Sequence, residues 1–98
     1  MPKLYQNEVG VAIDLDTKLP VATLALAQTQ TIEVKLPDAT TTSWTADIIA
    51  DTSKIRHVII SGQLAQTGEY LLQAKLTFAG GTVVRGDTVS VTVFPNFE

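Results

Sequence analysis

Apolar residues recur at every second position along much of this sequence, and that periodicity restricts the fold more than any other feature. Val9, Val11, Ile13 and Leu15 alternate with Glu8, Gly10, Ala12, Asp14 and Asp16, and Ile32, Val34 and Leu36 alternate with Thr31, Glu33 and Lys35. Tyr70, Leu72, Ala74, Leu76 and Phe78 alternate with Glu69, Leu71, Gln73, Lys75 and Thr77, and Val89, Val91 and Val93 alternate with Thr88, Ser90 and Thr92. Successive side chains of a strand point to opposite faces, so each stretch reads as a strand with one buried face. A helix needs apolar positions three and four apart, and none of these stretches supplies that stripe.

Turn chemistry falls between the runs. Pro37-Asp38-Ala39-Thr40 separates the strand ending at Leu36 from a second around Ser43 to Ile49, which carries Trp44. Ala50-Asp51-Thr52-Ser53 separates that strand from one over Lys54 to Ser61. Gly80-Gly81 predicts a short hairpin, because glycine reaches positive φ without steric cost, and Gly86 predicts a bulge in the last strand. Val21 to Ala27 is rich in Ala and Leu, and so short a run reads equally as a helical turn, a strand or an irregular crossover. Six to seven short strands at about ten-residue spacing predict an all-β sandwich. At 98 residues the chain is a single domain, 1–98.

The segment Leu64-Ala65-Gln66-Thr67-Gly68-Glu69-Tyr70 strengthens the reading as an antiparallel β-sandwich of about seven strands. Gly68, one residue, then Tyr70 opening an alternating strand matches a tyrosine corner, whose phenol bonds to backbone just upstream and pins a crossover between sheets.

The candidate chemistry is sparse. With no cysteine there is neither a disulfide nor a thiolate metal site. Asp14-Leu15-Asp16 invites a metal or phosphotransfer reading, but the nucleophile wants a parallel αβ framework and a calcium loop wants more oxygen ligands and a glycine turn. The two aspartates read as outward-facing groups at a strand end. His57 is the single histidine, so no His–His metal pair exists, and it reads as a strand boundary residue. Arg85-Gly86-Asp87 spells an integrin-recognition tripeptide, yet it runs straight into the Val89 to Val93 strand instead of a loop tip. No catalytic, cofactor or metal residues are assigned.

The net charge of -3 argues against nucleic acid or an anionic membrane as the main partner. Met1 to Glu8 has a lysine but no apolar run behind it, so it does not read as a secretory signal. Leu19 to Ile32, the longest uncharged stretch, is too short to span a bilayer. The opening Met and strand-like end read as a complete small open reading frame.

Taken in order, Thr31-Ile32-Glu33-Val34-Lys35-Leu36-Pro37-Asp38, then Trp44, then Leu64 through Phe78, then Arg85 through Val93 resemble small immunoglobulin-like proteins of tailed bacteriophages. That group is similar to the N-terminal domain of phage baseplate upper proteins, and the short aromatic tail Phe94-Pro95-Asn96-Phe97-Glu98 fits the pattern. Ala39 departs from it, standing where the family carries Gly, and Ala tolerates positive φ poorly.

The resemblance implies a non-enzymatic structural protein of the virion, assembled in the host cytoplasm. It would serve as a tail, baseplate or capsid-associated adaptor or decoration subunit. Its partners would be other phage structural proteins, with the chain present as a homo-oligomer or in multiple copies, and no nucleic acid or membrane. The alternatives are a module binding a carbohydrate or host surface, for which exposed aromatics are scarce and Trp44 reads as core, and a small enzyme or inhibitor. The apolar surplus at Val21 to Ala27 and at Val58-Ile59-Ile60 exceeds what one sandwich face needs and predicts a contact surface.

Overall fold

The alternating stretches pair into two sheets in a computed structural model that describes residues 4–97. The element order is β1 (Leu4–Tyr5), β2 (Ala12–Asp16), α1 (Val21–Leu24), β3 (Thr29–Lys35), β4 (Thr41–Thr45), β5 (Asp47–Ile48), β6 (Lys54–Val58), β7 (Gly68–Thr77) and β8 (Val83–Phe94). A five-stranded sheet runs β1-β8-β7-β3-β4 and a three-stranded sheet runs β2-β6-β5. All pairings are antiparallel except β1 with β8, where Leu4 and Tyr5 lie parallel to Val93 and Phe94. This is the two-sheet division of an immunoglobulin-like sandwich: β2, β6 and β5 against β4, β3, β7 and β8. Met1, Pro2, Lys3 and Glu98, part of the leading segment and the tail end considered above, lie outside the described residues.

The predicted faces determine the core. Ile32 and Val34 of β3 and Tyr70, Leu72, Ala74 and Leu76 of β7 are buried, while Ile13, Leu15 and Ile55 close over them from the smaller sheet. The segment Val21 to Ala27 resolves as one helical turn, started by Pro20, whose carbonyl accepts from Thr23 and Leu24 N–H. It seals one side of the sandwich by inserting Leu24, which is fully buried, while Val21 and Leu26 stay exposed.

The structure corrects the sequence reading in three places. The single strand expected over Ser43 to Ile49 is two strands in different sheets. Ala46 N–H still bonds to Gln30 O of the larger sheet, and the next two residues pair with β6 instead. Val9 is exposed and outside any strand, because Gly10 at φ 85 turns the chain before β2 begins. Val89 belongs to the inward set but remains exposed, because the larger sheet extends past the three strands that face it.

The predicted turns form. Gly80 and Gly81 take φ of 82 and 85 in the hairpin between β7 and β8. The bulge falls where Gly86 suggested, with the β7–β8 register shifting between Gln73 and Lys75. The tyrosine corner is present: the Tyr70 hydroxyl, in a residue that is 1% exposed, bonds to the main chain of Gln66.

Candidate functional site

The feature with the most distinctive geometry is a groove of about 610 Å³ along the outer edge of β4. It exists because β5 is only two residues long. That strand covers the edge of β6 beside Ile55 and Arg56 and goes no further, leaving the main chain of Val58 without a strand partner on that side. Trp44 and Thr45 form one wall, Ile48, Val58 and Ile60 contribute apolar surface, and Gln63 stands at one end. A second hollow of about 290 Å³ continues along the same strand from Thr40 past Gly62, sharing Ser43, Trp44 and Gln63 with the first.

Hydrogen-bond parity shows what this edge presents. Leu36 N–H donates to Thr40 O and Ala46 N–H to Gln30 O, so the main-chain groups of even-numbered β4 residues face β3. Those of Thr41, Ser43 and Thr45 therefore point away from the sheet. On the facing strand Ile59 N–H donates to Val11 O, which turns the odd-numbered residues toward β2 and leaves the main chain of Val58 facing the open side.

His57 forms the floor. It is 7% exposed, and its imidazole stacks on the Trp44 indole with ring centroids 5.0 Å apart and planes 23° from parallel. Nδ1 lies 2.6 Å from Thr45 O and Nε2 lies 2.7 Å from Gln63 Oε1. The same Gln63 oxygen accepts the Ile60 N–H at 2.9 Å, so one side chain holds both the ring and the loop after β6. The histidine thus clamps the two sheets together, a structural role in a more interior position than a strand boundary. Trp44 is 4% exposed and its ring is taken by His57, so it does not offer an open face to a sugar.

The other singled-out residues lie elsewhere and are engaged with neighbours. Asp14 takes a bidentate contact from Arg56, at 2.7 Å from Nε and 3.0 Å from Nη2. That hydrogen bond holds the Asp14 carboxyl below the ordinary carboxylate range and raises the Arg56 guanidinium above its own. Asp16 accepts from Ser53 Oγ and Lys18 N–H, the former being the main reason its carboxyl is also held low. Among the described residues no three His, Cys, Asp or Glu side chains gather as a metal would require. Arg85 pairs with Glu33, Asp87 with Lys18, and Gly86 O accepts from Gln73, so the tripeptide is built into β8. No helix among the described residues is long and apolar enough to cross a membrane.

The sequence pointed to this region through the Val58-Ile59-Ile60 surplus. Ile59 is fully buried, while Val58 and Ile60 are 48% and 59% exposed beside the groove. Gln63 and the open edge of β4 were missed, since no periodicity signals where a neighbouring strand stops. No protein-family model matches the chain and no curated protein matches it. Among solved structures, CopC from Methylosinus trichosporium OB3b is similar over 99% of this chain and 89% of that one, with a TM-score of 0.55 at 14% identity, a likeness of fold alone. The V domain of amphioxus IgVJ-C2 aligns over 88% of this chain and 95% of its own, with a TM-score of 0.33 at 16% identity.

Proposed function

We propose that this chain is a non-enzymatic contact module that works through protein–protein interfaces. On its motif order, we place it in a bacteriophage particle, as a tail, baseplate or capsid-associated adaptor or decoration subunit present in several copies. The observation that carries the contact reading is the exposed pair Val58 and Ile60 beside an uncovered strand edge. Apolar side chains next to unpaired main-chain groups are what a partner surface covers. The charged groups of the Asp14-Leu15-Asp16 run and of the Arg85-Gly86-Asp87 tripeptide are each held by a neighbour, which leaves the apolar pair as the more accessible feature.

The phage setting rests on the resemblance of the Ile32 to Asp38, Leu64 to Phe78 and Arg85 to Val93 segments. Mass spectrometry of particles purified from a lysate in which the chain is produced tests it. The chain is expected in the particle fraction at a fixed ratio to the major structural proteins. Its complete recovery in the soluble fraction would remove the virion assignment.

A further inference from the structure

The two edges of the five-stranded sheet are treated differently. The β8 edge is guarded: β1 covers Val93 and Phe94, a bulge interrupts the middle, and Arg85 and Asp87 place charges on either side of Gly86. Bulges and charges are the usual means by which a strand avoids pairing with another chain. The β4 edge has none of these. Thr41 to Thr45 contains no charge, no proline and no bulge, and its register with β3 is unbroken. Two adjoining hollows run beside it from Thr40 to Thr45, ending where His57 Nδ1 meets Thr45 O.

We propose that β4 is a strand-addition site, where an extended segment of a partner protein pairs its main chain with the outward N–H and C=O groups of Thr41 and Ser43. The proposal rests on the contact-module reading and names its partner class. An extended backbone is what these groups recognise, because they repeat at the spacing of a strand. Side chains on the inner face of the added strand would meet Val58, Ile60 and Ile48, so apolar residues are expected at alternate positions.

Charge selects further. Asp47 lines the groove and its carboxylate has no ion-pair or hydrogen-bond partner among the described residues, while Arg56 across the β5–β6 ladder is taken by Asp14. A basic side chain at the Asp47 end is therefore favoured. A second folded copy fits less well, because the outward groups of β4 lie in a recess between that strand and the loop carrying Ile60, Gly62 and Gln63, which a single extended segment enters more readily than a folded surface.

The test uses the whole chain and a library of random linear nonapeptides. Peptides selected on the protein are expected to alternate apolar and polar residues and to include a Lys or Arg. They should shift the amide resonances of Ser43, Val58 and Ile60. Ser43→Pro removes an outward N–H without touching the pairing to β3, and is expected to weaken binding by at least about tenfold, whereas Ser43→Ala leaves it intact. If Ser43→Pro does not fold, the same loss is read on the unchanged protein with peptides N-methylated at alternate residues.

Failure to select any peptide, or binding indifferent to both proline and N-methylation, would overturn strand addition. So would resonance shifts confined to the β8 edge. Asp47→Asn with no change in preference for basic peptides would overturn the charge assignment. Recovery of the chain with folded particle proteins despite any of these results would leave the contact-module reading standing by itself.

Discussion

Tyr70 and Gln66 exchange two hydrogen bonds: the phenol donates to Gln66 O and accepts Gln66 N–H, both at 3.1 Å. The Gln66 side chain reaches the other way, with Nε2 donating to Asp38 Oδ2 and Oε1 accepting Asp38 N–H. One residue therefore ties the crossover before β7 to the hairpin between β3 and β4. Tyr70→Phe keeps the ring volume and leaves the Gln66 main chain without these partners. The expected loss is about 1–3 kcal/mol. Urea unfolding should show a lower midpoint with an unchanged slope, whereas an unchanged midpoint would mean the corner does not pin this crossover.

Ala39 stands at φ 71 in the β3–β4 hairpin, where Ala39 N–H donates to Leu36 O and Leu36 N–H to Thr40 O. A left-handed Ala costs roughly 1–2 kcal/mol. Glycine removes that cost but loses more chain entropy on folding, about 0.5–1 kcal/mol relative to Ala. Ala39→Gly is therefore expected to stabilise the chain by up to about 1.5 kcal/mol. Gly68 predicts the opposite sign: at φ 121 an added Cβ would lie 3.1 Å from Pro37 Cβ, so Gly68→Ala should destabilise. Thermal unfolding of the two variants side by side checks both signs.

These positions show how the fold was legible and where legibility stopped. Period two located the buried faces of β3 and β7, and the Gly–x–Tyr spacing located the corner, because both patterns are imposed by geometry within one strand or turn. The transfer of the chain from β4 to β5 at Ala46 left no local mark. A strand that changes sheets keeps extended backbone and alternating side chains, and only pairing with β6 instead of β3 distinguishes the halves. The groove was hidden for the same reason: its open side follows from the two-residue length of β5, while its clamp joins His57 to Thr45 and Gln63.

Leu24 is fully buried at the side of the sandwich, and the helical turn carrying it is only four residues long. So short a turn has little stability of its own, so insertion of this side chain is what holds it in place. Leu24→Ala is expected to cost about 2–5 kcal/mol, a large part of the roughly 5–15 kcal/mol available to a domain. Leu26, 72% exposed two residues later, is the control, and Leu26→Ser should change stability by no more than about 0.5 kcal/mol. Equal effects from the two substitutions would mean that the turn is held by something other than Leu24.

Acid should weaken the fold through three aspartates. Asp14 is held low by the Arg56 hydrogen bond, Asp16 by Ser53 and Asp38 by the Thr40 hydroxyl. A carboxyl whose folded pKa lies below its unfolded value binds protons more weakly in the folded chain. It contributes stability above the unfolded value, about 3.9 for Asp, and loses that contribution as pH falls through the folded value. Stability should therefore hold near neutral pH and decline from about pH 5 downward. Replacing all three with Asn removes these protonation sites, so the triple variant should start less stable at pH 6 and lose less between pH 5 and pH 3. Urea midpoints at these pH values measure both slopes. Parallel slopes for the two proteins would assign the acid sensitivity to other groups, leaving Asp14, Asp16 and Asp38 as surface carboxylates whose contacts are too well screened to matter.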